Sequence, residues 1–283
     1  MRLVIHAGTH KTASTYFQHL LAANQSLLAG HGIYTRPDAR MTGNHGTAWM
    51  TLVEDYRHIA AHVREALRLG RTAMLLSSED FETLIFDHRR ALLVETAARE
   101  AGATSIEWTF CFRSPGEYFT SLMAELSHTG FVDYLGALTS VLRDGRLRLF
   151  REAKRHPLYW DFCFDYETHL GLFGVAVSGQ VTVHDFRDNE PFPGHGIIAA
   201  LGVDPTSLSK PEGRARNARL APEKAEEKRL AGLQRILEAA EVREGAIAAF
   251  SEVARTPAAL QSEAEAAIDR LYQPGWTRLL AAR

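Results

Sequence analysis

The sequence predicts a three-layer α/β protein, with a central, mainly parallel sheet and helices on both faces. Three observations predict it. Four short apolar runs, Leu3–Ala7, Thr72–Ser77, Ser105–Phe112 and Gln180–His184, each give way to polar or turn residues, as strands buried between helices do. Segments with helical spacing alternate with them, and that alternation argues for a parallel sheet with ligands at the carboxyl ends of its strands. The first run also breaks at Gly8 into a hydroxyl-rich turn that carries a lysine and opens into a helix. That is a P-loop-like arrangement after strand 1.

The elements follow in order. Leu3–Ala7 leads through the turn into a helix over Ser14–Ala29, and a second helix over Tyr56–Leu69 precedes the strand Thr72–Ser77. His88–Ala101, Pro115–Ser127, Tyr159–Leu172 and Gly194–Leu201 read as further helices around the two remaining strands. From Ser207 to Leu220 the chain turns polar and basic, and Pro222 then stands in the first turn of a charged helix over Pro222–Glu244. An Ala-rich helix over about Pro257–Tyr272 should end before Pro274-Gly275. No internal repeat interrupts the chain. It reads as a single α/β domain spanning 1–283, with 222–283 a C-terminal helical extension packed on it.

Composition narrows the function. With 283 residues the chain is long enough to bury a large core. Its formal net charge is −2, so no global field draws nucleic acid, and any polyanion must be held locally. Cys111 and Cys163 both lie between phenylalanines, where small buried hydrophobes belong, and they can build neither a disulfide framework nor a zinc site. No His/Cys/Asp cluster has metal-ligand spacing, so no metal is expected. The N-terminal apolar run is too short for a signal peptide and no segment has the length of a membrane span, so a cytoplasmic location is expected.

Gly8-Thr9-His10-Lys11-Thr12-Ala13-Ser14-Thr15 has the chemistry of an anion cradle. Backbone N–H groups at such a turn point at the anion, the helix dipole favours negative charge, Lys11 adds a full cation, and Thr12, Ser14 and Thr15 add hydroxyl donors. The spacing is not that of a Walker loop, which has glycine directly before the lysine, whereas here His10 precedes Lys11. The plainer alternative is a strand-to-helix turn capped by Thr12 or Ser14, but a cap requires neither the lysine nor a run of small residues.

A second constellation begins where the strand Ser105–Phe112 ends. Arg113 stands at its carboxyl edge, Pro115 opens a helix, and Ser121 follows eight positions after the arginine. Arg113 and Ser121 can therefore approach one anionic group, with the guanidinium giving the bidentate grip that phosphate favours.

These two motifs carry a resemblance. Lys11-Thr12-Ala13-Ser14-Thr15 resembles the 5′-phosphosulfate loop of the sulfotransferases that use 3′-phosphoadenosine 5′-phosphosulfate (PAPS), and Arg113 to Ser121 is similar to their 3′-phosphate motif, in wording close to the bacterial branch. Looser echoes are Ser77-Ser78-Glu79-Asp80-Phe81 and Arg216-Asn217-Ala218-Arg219-Leu220. The resemblance implies a PAPS-dependent enzyme that moves a sulfuryl group in line to a hydroxyl or amine acceptor, a small molecule or carbohydrate. It implies a donor site of Gly8, His10, Lys11, Thr12, Ala13, Ser14, Thr15, Arg113 and Ser121, with one of Arg214, Arg216 or Arg219, first of all Arg216, closing over the nucleotide. Ala13 departs from the family's glycine, and alanine there is strained if the position adopts positive φ.

Transfer to an acceptor needs a general base. Glu79 follows a strand at the sheet's carboxyl edge, and the carbohydrate-acting members that the chain resembles use a glutamate in a comparable place. Its plainer role is a carboxylate at a helix N-terminus beside Asp80. His45, in the glycine-flanked loop Met41–Gly46, is the second candidate, since imidazole titrates near neutrality. The loop from Arg36 to Trp49 and His128-Thr129-Gly130-Phe131 are expected to shape the acceptor pocket. Two other classes stand beside this one: a P-loop nucleotide kinase or phosphotransferase, and a non-catalytic nucleotide-binding protein.

Overall fold

Leu3, Val4 and Ile5 are all but inaccessible to solvent, because the strand that holds them is covered on both faces. The computed structural model describes residues 1–39, 41–129, 132–153, 156–211 and 221–282. The chain runs through β1 (Arg2–His6), α1 (Ser14–Ala23), α2 (Gln25–Gly30), β2 (Ile33–Tyr34), α3 (His45–Leu52), α4 (Arg57–Arg68) and β3 (Ala73–Ser77). A 3₁₀ segment, Glu79–Phe86, leads to α5 (His88–Glu100), β4 (Ser105–Phe112), α6 (Pro115–Thr129) and α7 (Tyr134–Asp144). A hairpin of β5 (Arg146–Ala153) and β6 (His156–Cys163) precedes α8 (Tyr166–Ala176), β7 (Gln180–Asp185) and α9 (His195–Ala200). The last helices are α10 (Pro222–Ala239), α11 (Glu244–Val253) and α12 (Ala258–Ala281).

The central sheet has five strands in the order β2-β3-β1-β4-β7, and every neighbouring pair is parallel. Register places His6 beside both Ser77 and Thr109, so β1 and β3 end together. Period-two alternation divides the core. Leu3 and Ile5 face α3, α4, α5, α8 and α12, whereas Val4 and Leu75 face α1, α2 and α9. A third apolar cluster joins α6, α7 and the hairpin to Ile268 of α12. Helices on both faces of a parallel sheet make this the three-layer α/β fold that the alternation predicts. Among the described residues, no helix is long and apolar enough to cross a membrane.

The four predicted strands are β1, β3, β4 and β7. The helix expected over Tyr159–Leu172 is a correction: β6 runs to Cys163, and α8 begins at Tyr166, where Asp165 accepts from the backbone N–H of Thr168 at 3.1 Å as its N-cap. Tyr159, Trp160, Phe162 and Cys163 favour a pleated surface, and β5 supplies the partner strand. The helix over Ser14–Ala29 is two helices, because the Asn24 side-chain amide turns to the carbonyls of Leu20 and Ser209 (2.8 Å each). The charged helix from Pro222 stops at Ala239, and α11 follows it. The last helix passes through Pro274 instead of ending before it. Trp276 fixes that continuation, fully buried against Phe112 and Tyr166 at ring separations of 5.9 and 5.5 Å.

Candidate functional site

The turn after β1 is anchored from below. The backbone N–H groups of Ala7 and Thr9 donate to the carbonyls of Thr109 and Cys111, and the Thr12 hydroxyl donates back to the Thr9 carbonyl at 2.6 Å. Thr12 therefore does not cap α1, and neither does Ser14: the N-cap is Ala13, with no side-chain hydrogen bond. Lys11 (φ 65°) and Ala13 (φ 59°) are both left-handed. Left-handed residues feeding a right-handed helix turn successive N–H groups towards one point, which is an anion-binding nest. The position that the sequence marks as awkward for alanine is thus one of positive φ. Such backbone costs about 1–2 kcal/mol for a residue with a Cβ.

Gly8 lies where a Cβ would stand 2.5 Å from the His6 ring. His6 contacts Ser77 Oγ at 2.9 Å, and burial, then the neighbouring His184, lowers its pKa to about 3, so it forms a neutral floor beneath the turn.

Both predicted cations converge here. Arg113 Nη1 donates to the Lys11 carbonyl at 3.2 Å, the guanidinium stacks on Phe186 at 5.0 Å, and its buried Nε has no hydrogen-bond partner among the described residues. Arg113 also pairs with Glu117 at 3.3 Å, and Lys11 with Glu125 at 3.0 Å. Glu117, Ser121 and Glu125 are four residues apart on α6, so they share a face, and Ser121 lies between the two ion pairs. Ser121 itself is buried.

A titratable network adjoins the turn. Glu79 accepts from the Gln18 amide at 2.9 Å and lies 4.0 Å from His45 Nε2. Asp80 accepts from His45 Nδ1 and from the Trp49 indole N–H, each at 2.9 Å. Burial works against the Asp80 charge, but the His45 hydrogen bond and the charges of His10 and His45 hold its pKa below the usual range. The Gln18 amide, with its nitrogen on Glu79, presents its oxygen to His45 Nε2 at 3.3 Å. Both imidazole nitrogens thus face acceptors, an arrangement that favours the protonated ring. Burial opposes that charge, but Asp80 and Glu79 raise the His45 pKa. His10 lies against Glu82 at 3.3 Å and Asp80 at 3.7 Å. Burial opposes its charge too, yet Glu82, then Glu79 and Asp80, raise its pKa to about 9.

His45 is not in a loop, as its flanking glycines predict, but at the first position of α3. The preceding residues hold it there. Asn44 Oδ1 accepts from the Ser77 N–H at 3.0 Å, and a Cβ on Gly43 would meet the Ser77 carbonyl at 2.7 Å. Trp49, from the stretch expected to line the acceptor pocket, is exposed, donates its indole N–H to Asp80 and packs on Trp160. Arg214, Arg216 and Arg219 lie outside the described residues, as do Gly130 and Phe131. Sequence reading misses Gln18, Glu82, Glu117 and Glu125. Gln18 carried a signal: it is one turn beyond Ser14 on the helix that the loop opens. Among the described residues, no group of three or more His, Cys, Asp or Glu side chains could hold a metal ion. No protein-family model, no curated protein and no solved structure matches the chain.

Proposed function

We propose that this protein is a sulfotransferase that takes the sulfuryl group of PAPS and passes it to a hydroxyl or amine acceptor. One observation carries the reading: Arg113 and Lys11, 102 residues apart in sequence, meet at a hydrogen bond beside an uncapped helix N-terminus. Two phosphate-type grips side by side suit a nucleotide phosphorylated at both ends. The left-handed turn and Lys11 fit the 5′ end. Arg113, with its unpartnered Nε, and Ser121 fit the 3′-phosphate. ATP offers nothing to that second grip.

The residues then divide the work. Lys11 and the N–H groups of Thr12 to Thr15 stabilise charge that builds on the 5′-phosphate as its bond to sulfur breaks. Glu79, held by Gln18, takes the proton of the acceptor as the new bond to sulfur forms. The carboxylates beside His45 raise its pKa and favour its charged form, so it suits the role of a neighbour to Glu79 better than that of the base. Trp49 and Trp160 wall the acceptor side, where a sugar or other small acceptor would lie.

Calorimetric titration with adenosine 3′,5′-bisphosphate, with AMP and ATP as controls, tests the reading. The bisphosphate should bind more tightly than either control, and Arg113→Ala should abolish that preference. Equal affinity for AMP refutes the 3′ grip, and preference for ATP points instead to phosphoryl transfer.

A further inference from the structure

Glu82 is absent from every role given so far, yet it is more highly connected than any residue that the proposed chemistry uses. Its side chain is 1% exposed. The backbone N–H and Nδ1 of His10 both lie 3.3 Å from Oε2. The Tyr118 hydroxyl reaches both oxygens, at 3.1 and 3.0 Å, and the Cys163 N–H donates to Oε1 at 2.9 Å. One carboxylate thus ties together the anion turn, α6 and the hairpin strand β6.

Stability alone does not account for such a group. A buried ion pair loses solvation that its own attraction barely restores, so an apolar cluster of the same shape would serve folding as well. What the carboxylate provides is geometry. His10 immediately precedes Lys11, and Tyr118 lies one turn before Ser121 on the same helix. We propose that Glu82 is the positioning residue of the donor site, setting the phosphate turn through His10 and the 3′-phosphate helix through Tyr118. This rests on the donor-site reading above. It adds that the distance between the two phosphate grips is fixed by a single side chain touching neither phosphate.

Glutamine cannot replace it. Its amide nitrogen in place of Oε2 would face the two His10 donors, and in place of Oε1 it would face the Cys163 N–H. Either orientation sets donor against donor. The other titratable groups around His10 are Glu79 and Asp80 of the 3₁₀ segment, His45 of α3 and Tyr118 of α6.

The test pairs two readouts on wild type, Glu82→Gln and Tyr118→Phe. The first is an NMR titration of His10, which uses no nucleotide. In Glu82→Gln, His10 should lose its proton at a pH below the wild-type value of about 9. The second is calorimetry with adenosine 3′,5′-bisphosphate and AMP. Glu82→Gln should weaken bisphosphate binding roughly ten- to a hundredfold, the worth of a hydrogen bond to a charged group. Tyr118→Phe should reduce the preference for bisphosphate over AMP more than it reduces AMP affinity, since only the 3′ contact rides on α6. An unmoved His10 titration, or bisphosphate binding at wild-type strength in Glu82→Gln, overturns the proposal. If Glu82→Gln does not fold, Tyr118→Phe decides, and an unchanged preference there overturns it too. A wild-type protein that binds AMP as well as the bisphosphate refutes the donor-site reading instead, while the His10 titration still reports on Glu82.

Discussion

Ala13→Gly should make this protein more stable without weakening its anion site. Ala13 is held at φ 59°, ψ 24°. A Cβ in the left-handed region costs about 1–2 kcal/mol. Against this, glycine gains freedom in the unfolded chain worth about 0.4–1 kcal/mol. The difference is a net gain of about 1 kcal/mol, which for a chain of this size corresponds to a rise in Tm of about 2–4 °C. The N–H groups that form the nest belong to the backbone and keep their directions, so bisphosphate affinity should change by less than about twofold, well below 1 kcal/mol. Differential scanning calorimetry and titration on the same preparations measure both quantities. Ala13→Val is the opposing control, because a β-branched side chain tolerates positive φ least and should lower Tm. The reasoning is refuted if glycine lowers Tm, or if valine leaves it at the wild-type value.

Three further outcomes are expected. Glu79→Gln should lower sulfuryl-transfer turnover about a hundredfold or more, the usual share of a general base, with bisphosphate affinity unchanged; turnover near wild type would move the base elsewhere. Glu125→Gln frees Lys11 from its carboxylate partner and should tighten bisphosphate binding by up to about fivefold at low salt, less at high salt, the scale of an exposed ion pair; weaker binding would show that Glu125 assists the nucleotide. Stability measured by urea unfolding should fall on both sides of neutrality for two identifiable reasons. His10 has a folded pKa raised from 6.5 to about 9, so its contribution is complete below 6.5 and is lost as pH rises through 9. His6 has a folded pKa lowered from 6.5 to about 3, so the unfolded chain takes up its proton first and stability falls as pH drops from 6.5 towards 3. His10→Gln should shrink the alkaline limb and leave the acid limb in place, with the remainder due to His45, whose pKa is also raised; an alkaline limb of wild-type size would contradict the assignment.

The strands of the sheet were legible because a strand covered on both faces is mostly apolar: Leu3 to Ile5 is wholly so, and Ile106 to Phe112 is so at all but Glu107 and Thr109. The strand-to-helix turn over Gly8–Ala13 was legible for a different reason: a run of small hydroxyl residues directly precedes a helical pattern. The hairpin was hidden because Tyr159 to Phe164 is an aromatic run without clear period, and its partner strand lies on the far side of a turn. Glu82 was hidden more deeply. A glutamate in Glu79-Asp80-Phe81-Glu82 looks solvated, and only the packing of three distant elements brings His10, Tyr118 and Cys163 to it. His45 fell between: its proximity to the site was readable, but whether Gly43 and Gly46 loosen a loop or admit close contacts depends on Ser77 and Asp38, which sequence does not place beside them.

The Ser114 hydroxyl oxygen caps the helix that carries Ser121 by accepting from the Glu117 N–H at 3.5 Å, but that bond is not the whole of its N-terminus. Gly116 N–H donates to Asp269 of α12 at 2.7 Å, and the Ser114 hydroxyl to the same carboxylate at 3.1 Å, across 153 and 155 residues of chain. The N-terminus of α6 is completed by a segment made more than 150 residues after it. During synthesis, then, the sheet and the turn after β1 can assemble before the Arg113–Ser121 region has its contacts to α12, and a chain cut short before α12 would carry that region without them. The turn after β1 and the start of α6 are encoded early, but the contacts that finish the start of α6 wait for α12.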